Sequence, residues 1–250
     1  MGQTAADGGF ENKNGFRYNI SAKCGLYYMV AVKSCKQNIY GMGNIDTGTL
    51  EVADAMSRWQ RAVKRLLDVL FAFAGLAVLS PVMAVIFLLL RLQRNGPAFF
   101  TQERIGQGGR PFTIYKFRTL SGCDGEPTLV AKSDKEHSTR LERFLREHHL
   151  DELPQLWNVL RGDMSFVGPR PERKYYIDKI MLAGGRYELI YKMKPGLTSE
   201  ATLYNGYTDT MQKMLRRLDM DISYLRRRSL WLDISIVVRT AFCIISGRKF

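Results

Sequence analysis

Residues 69–90 read VLFAFAGLAVLSPVMAVIFLLL, and how this stretch is placed decides the fold. As one straight helix it would reach roughly 33 Å, enough for a bilayer core of ~30 Å. Two features complicate a simple crossing. Arg58, Arg61, Lys64 and Arg65 precede the stretch, and Arg91 and Arg94 follow it. Basic residues favour the cytoplasmic side, so both ends ask for the same side. Ser80-Pro81 lies at the midpoint, where proline removes a backbone donor and crowds the preceding turn. A helix that enters, breaks at Ser80-Pro81 and returns satisfies both observations. A kinked span with the remainder of the chain on one side is the other reading, and the residues alone leave both open.

Around this segment the composition is basic. Lys and Arg number 37 against 24 Asp and Glu, a formal charge of +13. That surplus suits a phosphate-rich partner: anionic lipid, a nucleotide or nucleic acid. A soluble protein with a merely solubilising charge fits equally well on this ground. Cys24, Cys35, Cys123 and Cys243 are scattered without a CxxC pair, and the three histidines lack zinc-site spacing. A disulfide framework or structural zinc is not expected, and a reducing compartment fits better.

Residues 1–55, rich in Gly and Asn and without a signal-peptide pattern, read as an extension. Residues 56–95 hold the apolar helix with its basic flanks, and residues 96–250 read as one further domain. Residues 99–105 and 111–120 predict two strands joined at Gly106-Gln107-Gly108-Gly109. That glycine cluster lacks the Gly-Lys-Ser/Thr ending of a phosphate loop, so a hairpin turn is the better reading. On the second strand Ile114, Lys116 and Arg118 would share a face. The two cations would meet a diphosphate there, or form a solvated edge. Residues 121–135 read as a polar loop. Helices are expected over 138–148, about 152–160, 210–228 and 230–245. The last carries Trp231, Ile234, Val237, Val238, Phe242 and Ile245 with Asp233 and Arg239 interleaved. It suits a helix lying in the headgroup plane, or one buried in a soluble core.

Asp151-Glu152 is the strongest candidate for chemistry. Pro154 suits a first helical turn, which starts a helix at about Asp151 and sets both carboxylates at its positive end. An ionised Asp there is a competent nucleophile toward phosphorus, and a neighbouring carboxylate can bind Mg²⁺ or manage a proton. Ordinary helix capping explains the same two residues.

The longer context favours chemistry. Residues 150–171, LDELPQLWNVLRGDMSFVGPRP, closely resemble the signature of the monotopic phosphoglycosyl transferases, the bacterial sugar transferase family. KRLLD at 64–68, Ser80-Pro81, FTQER at 100–104, YKFRT at 115–119 and KPGLT at 194–198 follow the family order. The resemblance covers roughly residues 60–246.

It implies an α+β, mainly helical monotopic membrane protein. Such a protein has a re-entrant helix broken at Ser80-Pro81, a small β-hairpin, interfacial amphipathic helices and a catalytic domain at the cytoplasmic face of the bacterial inner membrane. It implies Mg²⁺, a UDP-sugar donor, and a polyprenyl phosphate acceptor, usually undecaprenyl. The reaction would open surface polysaccharide or glycoconjugate synthesis, with downstream glycosyltransferases as possible partners. By the same resemblance Asp151 is the nucleophile, and Glu152 handles metal or proton. Lys116, Arg118, Arg146 and the Pro169-Arg170-Pro171 segment contact substrate, and Asp163 is a lesser metal candidate beside Asp151 and Glu152.

Three features depart from the pattern: His148-His149 before Leu150, the run TSEATLYNGY at 198–207, and the want of several N-terminal spanning helices. Two rival readings are a non-catalytic scaffold of polysaccharide assembly and a nucleic-acid-binding protein. The intact Asp151-Glu152 pair opposes the first. The second lacks a reader motif and leaves residues 69–90 without a purpose, so no nucleic acid is expected.

Overall fold

The computed structural model describes residues 52–93, 96–119, 138–206, 208 and 210–246. Expectations for residues 1–51 and for the loop at 121–135 lie outside them.

Ser57 opens the first helix through a reciprocal capping box with Gln60, giving α1, Arg58–Leu92, of 35 residues. It is the one described helix long and apolar enough to cross a membrane. The expected break at Ser80-Pro81 is not a loss of helix, because the backbone stays helical through the dipeptide. The reason is local. Pro81 cannot donate to the carbonyl of Ala77, and the Ser80 hydroxyl donates to that carbonyl instead, at 2.8 Å. Much of the apolar surface of α1 is exposed, including Leu70, Phe73, Val78, Val85 and Leu88. An uncovered surface of this kind marks contact with lipid or another protein.

Strands β1, Phe99–Ile105, and β2, Pro111–Phe117, pair antiparallel, with Phe99 opposite Phe117 and Phe100 opposite Lys116. A 3-10 turn, Gln107–Gly109, joins them, and Gly108 and Gly109 take φ of 69° and 72°. The glycines thus serve the turn, as the sequence predicts. Helix α2, Arg140–Glu147, is capped reciprocally by Thr139 and Glu142. A second 3-10 turn, Leu150–Glu152, leads into α3, Gln155–Arg161, which Gly162 ends with φ 101°.

Strand β3, Ser165–Val167, pairs in parallel with β4, Gly196–Thr198, across α4, Lys174–Leu182, and a 3-10 turn, Tyr187–Lys192. Gly168 and Gly196 let the two backbones meet. A Cβ on Gly168 would stand 2.2 Å from the Lys194 carbonyl oxygen, and one on Gly196 would stand 2.2 Å from the Gly168 nitrogen. Helices α5, Glu200–Asn205, α6, Met211–Arg227, and α7, Leu230–Ile245, complete the chain.

Three apolar clusters hold these elements. The largest joins α4, the Tyr187–Lys192 turn, α6 and α7 through Ile180, Ile190, Leu225 and Ile236. The other two take residues from α1: Ile86 and Leu90 with Phe117 and Leu145, and Ala72 with Ile114, Val159 and Met164. Among the described residues, 52–56, which span the boundary expected at 55, pack with the rest of the body. Val52 and Met56 are buried, Ala55 donates to the Leu225 carbonyl at 3.1 Å, and Asp54 pairs with Arg228 and Arg61. In the basic stretch expected over 210–228, Arg217 and Arg228 are buried on Glu172 and Asp54. Only Arg216, Arg226 and Arg227 are exposed arginines there.

Candidate active site

Asp151 and Glu152 lie in the 3-10 turn before α3, with Pro154 as that helix's N-cap. The sequence places them in the first turn of the helix itself. His149 precedes the turn in the left-handed region (φ 54°), and among the described residues no other non-glycine does so. The turn presents its two acids differently. Asp151 is 7% exposed, and burial lifts its carboxyl to about 6. Glu152 adds to that rise against the pull of Lys116 and Arg146. Burial also raises Glu152, but Lys116 and Arg170 outweigh it and hold the group well below the usual carboxylate range. Lys116 Nζ stands 2.5 Å from Glu152 Oε1, and Arg170 Nη2 stands 3.3 Å from the same oxygen. The helix-end reading favours ionisation of both carboxylates; burial opposes it at Asp151, which ionises only above about 6, while Glu152 is held as the more acidic of the two.

Asn158, fully buried on α3, joins this turn to the hairpin. Its amide donates to the Thr113 carbonyl at 2.7 Å, and its carbonyl accepts from the Tyr115 N–H at 3.2 Å. The neighbouring residue Lys116 is thereby fixed beside Glu152. From the other side Arg65 on α1 donates to the carbonyls of Val159 and Leu160, at 2.6 and 2.8 Å, closing the end of α3. Asp68 accepts from the Phe166 N–H at 3.1 Å, and Lys64 meets Asp233 of α7 at 2.6 Å. The 64–68 run thus links the apolar helix to the helix that follows the acidic turn.

The Pro169-Arg170-Pro171 loop is held in the same manner. Gly196 donates to the Pro169 carbonyl at 2.9 Å, and Arg104 of β1 donates to the Pro171 carbonyl at 3.3 Å. Arg104 and Arg217 both pair with the buried Glu172. Arg146 donates to the Thr119 carbonyl at 2.8 Å while its charge acts on Asp151.

Two expected site residues are elsewhere. Arg118 follows the last residue of β2, so strand alternation no longer carries it to the face of Lys116. It is buried 3.6 Å from Glu142, with Nη1 donating to the Pro97 carbonyl at 2.9 Å. Asp163 meets the Asn158 amide at 3.4 Å and Arg161 at 3.5 Å. Among the described residues no group of three His, Cys, Asp or Glu side chains assembles, so Asp163 does not complete a metal site with the acidic pair. Asn158, Arg104 and Arg65 were not singled out from sequence. Each lies in a quoted motif, but nothing local in sequence says that these polar side chains bond to distant backbone.

Asp151, Glu152, Lys116, Arg146 and Arg170 thus form one electrostatic group: an acid poised near neutral pH, a fixed anion and three cations. Such a group can attack an electrophile and stabilise negative oxygens around it.

A family model described as "Bacterial sugar transferase" matches residues 59–247. The chain belongs to the bacterial sugar transferase family. It is 38% identical over 190 residues to the UDP-glucose:undecaprenyl-phosphate glucose-1-phosphate transferase of Escherichia coli K12, covering 75% of this chain and 41% of that one. A protein of the same name from Caulobacter vibrioides is 42% identical over 181 residues, 71% of this chain and 67% of that one. The UDP-N-acetylgalactosamine-undecaprenyl-phosphate N-acetylgalactosaminephosphotransferase of Aeromonas hydrophila is 34% identical over 186 residues, 74% and 44% of the two chains. This bacterial sugar transferase therefore spans about two fifths of the first and third of these relatives and two thirds of the second. Every residue of its acidic site falls inside the family match, whereas the packed residues 52–58 precede it.

Proposed function

We propose that the protein transfers a sugar-1-phosphate from a UDP-sugar to polyprenyl phosphate, of the undecaprenyl type, releasing UMP through a covalent aspartyl intermediate. The observation that carries this reading is the divided ionisation of Asp151 and Glu152 within the Lys116, Arg146 and Arg170 group. The relatives' names support the same reaction class. In the first half-reaction the Asp151 carboxylate attacks the phosphorus that bears the sugar. The bond from that phosphorus to the oxygen bridging toward the uridine side breaks, and UMP leaves with that oxygen. In the second, a phosphate oxygen of the lipid attacks the acyl phosphate, and Asp151 regains its carboxylate. One phosphoanhydride is consumed and one is formed, so no further energy source is needed. Lys116, Arg146 and Arg170 would hold the phosphoryl oxygens as charge spreads over them.

Magnesium commonly takes one or two protein carboxylates and fills its sphere with water and substrate phosphates. Asp151 and Glu152 fit that donor set, and Asp151, raised by burial beside a second anion, is the kind of acid a divalent cation relieves. These two residues would hold the ion, which would supply positive charge at the phosphoryl oxygens.

We further read α1 as re-entrant in the inner membrane, with the active site at the cytoplasmic face. Support comes from both halves of the helix returning to one packed body: Lys64, Arg65, Asp68 and Ala72 before Pro81, and Ile86, Leu90 and Gln93 after it. Exposed Trp231, Ile234, Val238 and Phe242 give α7 an apolar face suited to the headgroup plane. The reaction would start a surface polysaccharide or glycoconjugate, whose next sugars other glycosyltransferases add.

The test is incubation of purified protein with a panel of UDP-sugars. One UMP per chain and an Asp151 sugar-phosphate adduct are expected without acceptor, then turnover once polyprenyl phosphate is added. A scaffold would release no UMP from any donor. The pH dependence follows from the ionisations. The attacking form of Asp151 exists above about 6, so adduct formation should fall about tenfold per pH unit below that value. A rate flat from pH 7 down to 5 would deny Asp151 the nucleophile's part.

A further inference from the structure

We propose that the cavity between α5, the end of α6 and α7 holds the phosphodiester headgroup of a bilayer phospholipid, separate from the donor and acceptor of the reaction. The cavity has a volume of about 170 Å³ and is lined by Glu200, Tyr204, Arg227, Leu232, Ile236 and Arg239 among others. Its polar wall is already organised. Arg239 donates to the Tyr204 hydroxyl, and Arg227 Nη2 stands 2.5 Å from Glu200. Two guanidinium groups and one carboxylate leave a single positive charge, which matches the single negative charge of a phosphodiester. A diphosphate would be under-neutralised there.

The orientation of α7 supplies the second observation. Trp231, Ile234, Val238 and Phe242 recur at three- and four-residue steps and share one exposed face. Leu232, Ile236 and Arg239 recur likewise, on a face turned by about 100°. The cavity therefore opens along the flank of the apolar stripe. Acyl chains lying beside Trp231 and Phe242 would deliver their headgroup to Arg239 and Arg227, with Leu232 and Ile236 against the glycerol end. Glu200 and Tyr204 belong to the 198–207 run that departs from the family wording, so the shared reaction does not account for them. The inference rests on the reading of α7 as a membrane-surface helix.

Native mass spectrometry of the full chain in detergent micelles doped with phosphatidylglycerol tests it. The wild type should retain one such lipid per chain. The Arg227→Gln/Arg239→Gln variant should retain it at least tenfold less, yet still float with phosphatidylcholine vesicles and still form the Asp151 adduct. Equal retention by the two proteins overturns the proposal, as does no retention by a wild type that floats. Displacement by millimolar inorganic phosphate overturns it in favour of a simple anion site. Displacement by equimolar polyprenyl phosphate overturns it in favour of the acceptor. A wild type that fails to float removes the membrane reading itself, whatever the lipid count.

Discussion

Asp151→Asn is expected to abolish UMP release, with a loss on the order of 10³-fold or more, while the protein melts at a higher temperature than the wild type. The two effects share one cause. Burial raises the Asp151 carboxyl from 3.8 to about 6, so the folded protein holds an ionised Asp151 at neutral pH at a cost of about 3 kcal/mol. For an acid raised in the folded state, the native form binds more protons between the two values. Stability therefore falls as pH rises from about 4 through about 6, and the full penalty applies above. The amide carries no charge and escapes it. In metal-free buffer at pH 7.5 the variant should melt roughly 6–12 °C higher, and the difference should vanish toward pH 4. Melting curves at the two pH values, beside a UMP assay, check both halves. An inactive variant that melts lower at pH 7.5 would mean that the carboxylate supports the fold.

Glu142→Ala should be among the most destabilising substitutions in the packed body, at about 3–5 kcal/mol. Glu142 is wholly buried, and it does two things at once. One oxygen accepts from the Thr139 N–H at 2.8 Å to cap α2, and the other faces Arg118 at 3.6 Å. Alanine removes the cap and strands a buried guanidinium. The cost arises mainly from the orphaned charge, so the double change Glu142→Leu with Arg118→Met should recover most of it. A thermal-melting cycle over the four proteins measures that coupling. If Glu142→Ala melts within a degree of the wild type, Arg118 draws its compensation from elsewhere.

Much of this architecture is legible in the sequence. Gly106-Gln107-Gly108-Gly109 marks the hairpin turn and Pro154 marks a helix start nearby, because turns are local chemistry. Residue types and motif order likewise singled out Asp151, Glu152, Lys116, Arg146 and Arg170, which the fold brings together. The failures were non-local. Alternation suggested that Lys116 and Arg118 share a face, but β2 stops at Phe117 and a buried acid on another helix claims Arg118. Arg228, at the end of the helix expected over 210–228, turns inward to Asp54, far away in sequence. The rise of the Asp151 carboxyl is non-local for the same reason: burial is set by the whole fold, and no neighbour in the chain discloses it.

The apolar helix is not an anchor attached to an otherwise complete fold. Ala72 fills one of the three apolar clusters, Ile86 and Leu90 fill another, and Arg65 closes the end of α3. Deleting residues 58–92 to obtain a water-soluble fragment would uncover Phe117, Leu145, Ile114 and Val159 together. Such a fragment should aggregate, and extraction of the whole chain with amphiphiles is the workable route to homogeneous material.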